Sequence, residues 1–390
     1  MTTTATSRAL PWALIGAACL GSFAATSSGT TRAPFLIEMS RDLEVEVSLI
    51  ANIVSLTSIT WGVASALGGY LSELLGRRVL LVGGLFSLSV MTLAQAFAGS
   101  FLWVALFAAL AGTCSGTYSG VVFAEVSARV EDGQRGRALG WVMSGQSLTL
   151  VVGVPLAAWI GSMIGWRGWM HCTAALSFVA CLGLLATVRG SGTVAHAGNR
   201  PVVMRKLPGR VLGLLFTGVA ERTCYGLAAI YFATFLLTVY HLTLAALAIP
   251  LVLFALGNIA GTILGGQLAD RLRDRLLTFA VTLALSGVAC LVLFMWHPSL
   301  TVSVALGFLY VLLNALGRPS FMASLAAVPE EIRGTVLGFN GAFASLGWIC
   351  AAALGGIAFS TVGFEGFGPL GAGLGVIGTL GALACRRHGR

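Results

Sequence analysis

The chain has 390 residues, of which 57% are hydrophobic and only 9% charged, with 23 Lys and Arg against 14 Asp and Glu. So few polar side chains do not cover a water-facing globule, which excludes a soluble enzyme or soluble binding module; most of the surface must face lipid. The formal net charge of +9 follows from where the loops sit and needs no nucleic-acid partner to account for it.

A membrane-crossing helix takes roughly 20 predominantly apolar residues to traverse about 30 Å of hydrocarbon. Charged and turn-rich breaks leave twelve such stretches, at about 11–37, 47–71, 79–98, 101–126, 138–163, 169–188, 211–237, 243–268, 276–296, 300–328, 335–361 and 366–385. Segments such as "VLLVGGLFSLSVMTLAQAFA" (79–98) lack the polar and apolar alternation of an outer-membrane strand, so the chain is expected to be an all-α bundle. Arg8 before the first apolar run has the look of a secretory signal, but the repeat described below makes that run a retained helix. Of the 23 basic residues, 18 fall at the ends and in one set of loops, among them Arg77, Arg78, Arg129 and Arg386, while the opposite loops hold only Arg41 and Arg167. Lys and Arg in short loops stay on the cytoplasmic side, which predicts cytoplasmic termini; a bacterial inner-membrane location goes with the leading functional expectation below. The eight cysteines lie in or beside apolar segments without metal-type spacing, so no metal or cofactor is expected.

Sliding the chain against itself by 197 positions aligns Gly16 with Gly213, Gly21 with Gly218, Thr26 with Thr223, Gly29 with Gly226 and Phe35 with Phe232. The same shift places "LGGYLSE" (67–73) on "LGGQLAD" (264–270), and a shift of 198 places "RGRALG" (135–140) on "RGTVLG" (333–338). A register held this long predicts two six-helix halves of the same orientation, 1–188 and 211–390, joined by a basic cytoplasmic linker at 189–210. Parallel halves related by an axis along the membrane normal are a transporter architecture with its site between the halves near mid-membrane.

The loop after the second helix, "GYLSELLGRR" (69–78), resembles the signature of the major facilitator superfamily, and "GQLADRLRDR" (266–275) is its second copy. "GVPLAAWIGSMIGWRGW" (153–169) is similar to the Gly-Pro motif of the superfamily's drug:proton antiporter and arabinose-efflux-like branch. The resemblance covers essentially the whole chain. It implies alternating access between two pseudo-symmetric halves and a cytoplasmic gate at Gly69, Glu73, Gly76, Arg77 and Arg78, matched by Gly266, Asp270 and Arg271. A carboxylate there complements a neighbouring helix end. Departures are Glu73 in place of the usual Asp, Arg273 in place of the second glycine of the later copy, and Ala108 and Ala111 where proton-coupled drug antiporters carry arginine and glutamine. That branch's usual proton relay is therefore absent or relocated.

Five charged groups remain inside the spans: Arg32, Glu125, Glu221, Arg222 and Arg318, on the first, fourth, seventh and tenth helices. The resemblance implies that these helices line the central cavity. A charge at a helix centre costs about 2.5 to 3.5 kcal/mol on insertion scales, so it is expected to face water, a ligand or a partner charge. Neighbouring helical positions point about 100° apart, so Glu221 and Arg222 are not expected to pair with each other. Glu221, the single acid near mid-membrane, is the candidate proton-coupling group; the plainer reading is a fixed ion pair with Arg32 or Arg318. Arg32, Arg222 and Arg318 are candidate substrate contacts and suit a carboxylate or phosphate, although Arg318 in "NALGRPSF" (314–321) has a structural alternative as a cap where Pro319 breaks the helix. Tyr225, Tyr231, Asn258, Asn314, Gln146 and Asn340 are further candidates, each with helix-to-helix bonding as its plainer role.

Proton-coupled efflux of a small organic molecule by a monomer in the bilayer is the leading expectation; uptake or exchange of a small organic anion fits the arginine excess. A membrane enzyme would need clustered ligand-spaced His, Cys or acidic residues, and a Gly-x-x-x-x-Gly-Lys nucleotide loop is missing from the sequence.

Overall fold

A computed structural model describes residues 10–130, 134–188, 208–272, 274–327 and 330–387; within its helices the side chains at 69, 70, 73, 135, 136, 330–335, 337, 338 and 387 are left undescribed. Every long element is a helix, as backbone groups in lipid require. In chain order they are α1 (Trp12–Thr30), α2 (Leu36–Asp42), α3 (Val47–Leu75), α4 (Arg77–Phe97), α5 (Phe101–Ala128), α6 (Arg135–Leu148), α7 (Val154–Thr187), α8 (Gly209–Val239), α9 (Ala248–Arg271), α10 (Arg275–Met295), α11 (Leu300–Ala326), α12 (Glu330–Thr361) and α13 (Phe367–Arg387). The linker at 189–207 lies outside the described residues.

The twelve expected crossings are present. Ten stretches among the described residues are long and apolar enough to cross a bilayer, and one of them, Arg137–Thr187, runs 51 residues and holds two crossings. It comprises α6, a π-turn at Thr149–Gly153 just before Pro155, and α7, which reverses at Gly165 (φ 70°, ψ 175°). The remaining crossing is α1, where two hydroxyls bond back to the helix's own carbonyls: Thr26 Oγ1 donates to the Ser22 carbonyl (2.8 Å) and Thr30 Oγ1 to that of Thr26 (2.9 Å). The first apolar run was expected to continue to 37, but α1 stops at Thr30; Pro34 sits in a 3-10 turn, Ala33–Phe35, that redirects the chain into α2.

Close helix pairs rest on glycine stripes. Gly112, Gly116 and Gly120 of α5 press against the backbone of α3 at Thr57, Trp61 and Ser65. In the later half the corresponding contact is made with the partners exchanged: Gly257, Gly261 and Gly265 of α9 press against the backbone of α11 at Phe308, Leu312 and Leu316. Without a Cβ at these positions the backbones approach closely, which is how helices associate where lipid removes the hydrophobic drive.

With an even number of crossings, the first and last described residues, 10 and 387, lie on one side of the bundle, the terminal side. There the core is split: Leu14, Leu81, Val121, Val142 and Leu184 form one apolar cluster, and Leu215, Phe279, Phe321, Val336 and Ala382 another. At the far side a single cluster joins helices from both groups, running from Phe35, Leu36 and Ile50 to Tyr231, Phe235, Phe294 and Phe367. The bundle is thus fused at the far side and divided at the terminal side, with α3 and α12 bridging it where Ser55 Oγ donates to the Ile349 carbonyl (3.2 Å).

Candidate functional site

Between the two groups lies a cavity of about 440 Å³. The earlier helices give it hydroxyl and amide groups: Thr26 and Thr30 from α1, Thr57 and Ser58 from α3, Ser119 from α5 and Gln146 from α6. Aromatic groups come chiefly from the later helices, with Tyr225 and Phe232 on α8, Phe254 on α9 and Trp348 on α12, opposite Trp61 of α3. Arg222 is the one charged side chain among the residues that line it.

Behind Arg222 sits the acid. Glu221 is 1% exposed, and Arg318 Nε donates to its Oε1 at 2.9 Å while Arg222 Nε lies 3.5 Å from its Oε2. Arg318 Nη2 donates to Asn314 Oδ1 (3.0 Å), and its guanidinium lies 4.5 Å from the centre of the Tyr225 ring, which in turn meets Trp348 edge to face. One carboxylate between two guanidiniums leaves the triad with a net charge of +1, and only Arg222 carries that charge to the cavity wall.

Several expectations change. Glu221 and Arg222 do form an ion pair, because the long arginine side chain curls back over the 100° that separates the two Cβ directions; the 3.5 Å approach is looser than the bond from Arg318. Pro319 does not break α11, which continues to Ala326, so Arg318 holds Glu221 and Asn314 instead of capping freed carbonyls. Glu125 does not face the cavity: it is 2% exposed, paired with Arg129 (2.6 Å) and with Arg77 (3.8 Å) at the terminal side. Its partner was legible, since Arg129 follows at i+4.

Of the remaining candidates, Tyr225 and Gln146 line the cavity, whereas Arg32, Tyr231, Asn258, Asn314, Arg318 and Asn340 do not. Tyr231 is wholly buried and donates to the Ala352 carbonyl (2.9 Å); Asn340 Nδ2 donates to Met322 Sδ (3.5 Å). Asn258 is buried on α9, and Arg32 is buried near the far side with no hydrogen-bond partner among the described residues. Trp61, Trp348 and Ser345 were missed, because aromatic and small residues in an apolar run read equally well as lipid-facing or packing groups.

At the gate, Gly76 takes φ 84° between α3 and α4, a left-handed turn that favours glycine. Arg77 also donates to the Ala124 carbonyl (3.5 Å) and Arg78 to that of Leu185 (3.4 Å). Gly69 and Glu73 lie outside the described side chains. In the second copy Gly266 faces open space, and Asp270 and Arg271 are exposed and make no side-chain bond among the described residues. Asp274 acts there instead, accepting from the Leu277 amide (3.1 Å) as the cap of α10 and pairing with Arg386 (2.6 Å). On the far side a second pocket of about 630 Å³ opens between Glu38, Arg41, Asp42 and Arg167 and the loop residues Leu242 and Leu244. Asp42 pairs there with Arg167 and accepts from Trp166 Nε1 (2.9 Å), which ties α2 to the turn of α7.

A cleft between two bundles of six crossings, charged at one point and fused at one side, is the geometry of a membrane carrier, and the comparisons agree. Over 97% of its length the chain is 24% identical to the uncharacterized MFS-type transporter YwfA of Bacillus subtilis (strain 168), covering 94% of that protein. It is 23% identical over 84% of its length to the purine ribonucleoside efflux pump NepI of Escherichia coli O157:H7, covering 82% of it. The crystal structure of a D-xylose–proton symporter superposes with a TM-score of 0.80 at 15% identity, covering 97% of both chains. With the Major Facilitator Superfamily model matching residues 18–220 and again 214–389, the chain belongs to that superfamily of membrane transporters.

Proposed function

We propose that this transporter exports a small amphipathic organic molecule from a bacterial cell in exchange for protons, by alternating access across the inner membrane. Residues 1–188 and 211–390 move as the two bodies, with the linker and both termini in the cytoplasm and the monomer as the working unit. The observation that carries the reading is the Arg222–Glu221–Arg318 triad, which sets one acid directly behind the cavity's one cation. A cavity of about 440 Å³ with aromatic groups chiefly on one side and hydroxyl and amide groups on the other accommodates a small organic ligand. When Glu221 takes a proton, Arg222 loses its intramolecular partner and turns to the ligand, so proton and substrate occupancy are linked through one side chain. With the far side fused, the state described here opens toward the cytoplasm.

Proteoliposomes with an internal pH dye test this: substrate added to the wild type drives proton flux, and Glu221→Gln retains downhill exchange but no longer concentrates substrate on a pH gradient. Uphill transport by Glu221→Gln would end the coupling role.

A second reading, uptake or exchange of a small organic anion, is favoured by the triad's net positive charge. It predicts that Arg222→Gln loses carboxylate substrates while a neutral isostere is handled as before.

A further inference from the structure

The first half holds a cation that the proposed transport cycle does not use. Arg32 is 3% exposed, and its Nε, Nη1 and Nη2 are all buried with no hydrogen-bond partner. A guanidinium stays charged and presents five donors; buried alone it is strongly disfavoured. Its neighbours offer no relief. Thr31 Oγ1 already accepts from Trp169 Nε1 (2.8 Å) and donates to the Ser27 carbonyl (2.6 Å), which also occupies the one Trp169 side-chain donor. The Arg32 carbonyl is taken by the Phe35 amide (2.9 Å). No carboxylate pairs with Arg32 among the described residues.

The position also limits what the missing partner is. Gly29, Ala33 and Leu36 line the central cavity, whereas a Cβ on Gly161 of α7 would strike the Phe35 ring. Arg32 stands between these two faces, outside the cavity lining, where the 3-10 turn after α1 packs at the fused far side. Arg32 lines neither the central cavity nor the far-side pocket. A partner must bring negative charge in the least volume.

We propose that Arg32 is a binding site for a small inorganic anion of the chloride type, separate from the transport cavity and seated in the far-side core. Since that core forms only where the two bodies meet, the anion binds the far-closed state preferentially and holds it. This inference does not depend on the transport reading, because the site requires neither Glu221 nor a substrate.

The test is thermal unfolding of the purified full-length protein in detergent, without substrate, as gluconate is replaced by chloride or bromide at constant ionic strength. The midpoint is expected to rise by about 2 °C or more between roughly 1 mM and 300 mM halide. Arg32→Gln abolishes the rise, Arg222→Gln keeps it, and bromide gives an anomalous peak at the guanidinium in wild-type crystals. If Arg32→Gln fails to fold, Arg32→Lys, which keeps the charge, and the bromide peak in the wild type decide the matter. A wild-type midpoint indifferent to halide, an undiminished rise in Arg32→Gln, or a rise with benzoate but not with chloride would each overturn the proposal.

Discussion

The helices α1 and α8 stand in corresponding places, yet along this stretch each half puts arginine where the other has alanine. In the 197-residue register Arg222 falls on Ala25, and Arg32 falls on Ala229. On α8 the cation is matched by Glu221 next to it and shares that acid with Arg318; in the turn just after α1 the cation is buried with no acid paired to it among the described residues. The surroundings differ in the same sense. Gly29 of α1 faces open space in the cavity wall, whereas its counterpart Gly226 packs against Ala351 and Trp348 of α12. Two stretches with the same frame therefore divide the work: α8 carries the charge chemistry, while α1 supplies hydroxyls to the cavity and the turn after it supplies a lone cation to the seal.

The largest break in this comparison comes from removing the acid. Glu221→Gln leaves two arginines facing each other in a buried site and is expected to cost about 3 to 5 kcal/mol of stability, read as a lowered unfolding midpoint alongside loss of proton-coupled flux. Crowding the cation comes next. A side chain at Gly347 would collide with the Arg222 Cβ, so Gly347→Leu should cost about 1 to 3 kcal/mol and weaken ligand binding in a fluorescence or calorimetric titration.

Arg222→Gln sharpens the contrast further, because Glu221 keeps Arg318. Stability should change by less than about 1 kcal/mol, while affinity for a carboxylate ligand falls about tenfold or more, the loss of one charge-assisted bond. The smallest effect belongs to Arg386→Ala. The Arg386–Asp274 pair is about 30% exposed on both partners, so thermal unfolding should register no more than about 1 kcal/mol.

The crossings could be read in the sequence because lipid demands long apolar runs. The charges could be read as exceptions to those runs. Their partners could be narrowed but not fixed: the bond of Glu221 with Arg318, one of the two partners expected, joins positions 97 residues apart and depends on how α8 and α11 pack. The expectation that adjacent residues do not pair rests on Cβ directions, and it fails for a side chain as long as arginine. Glu125 shows the opposite case: it was placed with the cavity charges because it sits on the fourth helix, although its i+4 arginine marked it as a helix-end group. The aromatic wall stayed hidden because Trp61 and Trp348 look no different in a string from Trp103, which faces outward.

The reversal at Gly165 has its own consequence. A Cβ there would sit 3.0 Å from Glu38 Oε1, in a backbone conformation that L side chains rarely adopt. The fifth and sixth crossings are hinged on one residue with no slack between them, so they cannot slide independently. A tag or protease site inserted at that turn should be far less tolerated than one in the loop between α8 and α9, which makes the short turn a fulcrum and the longer loop a handle.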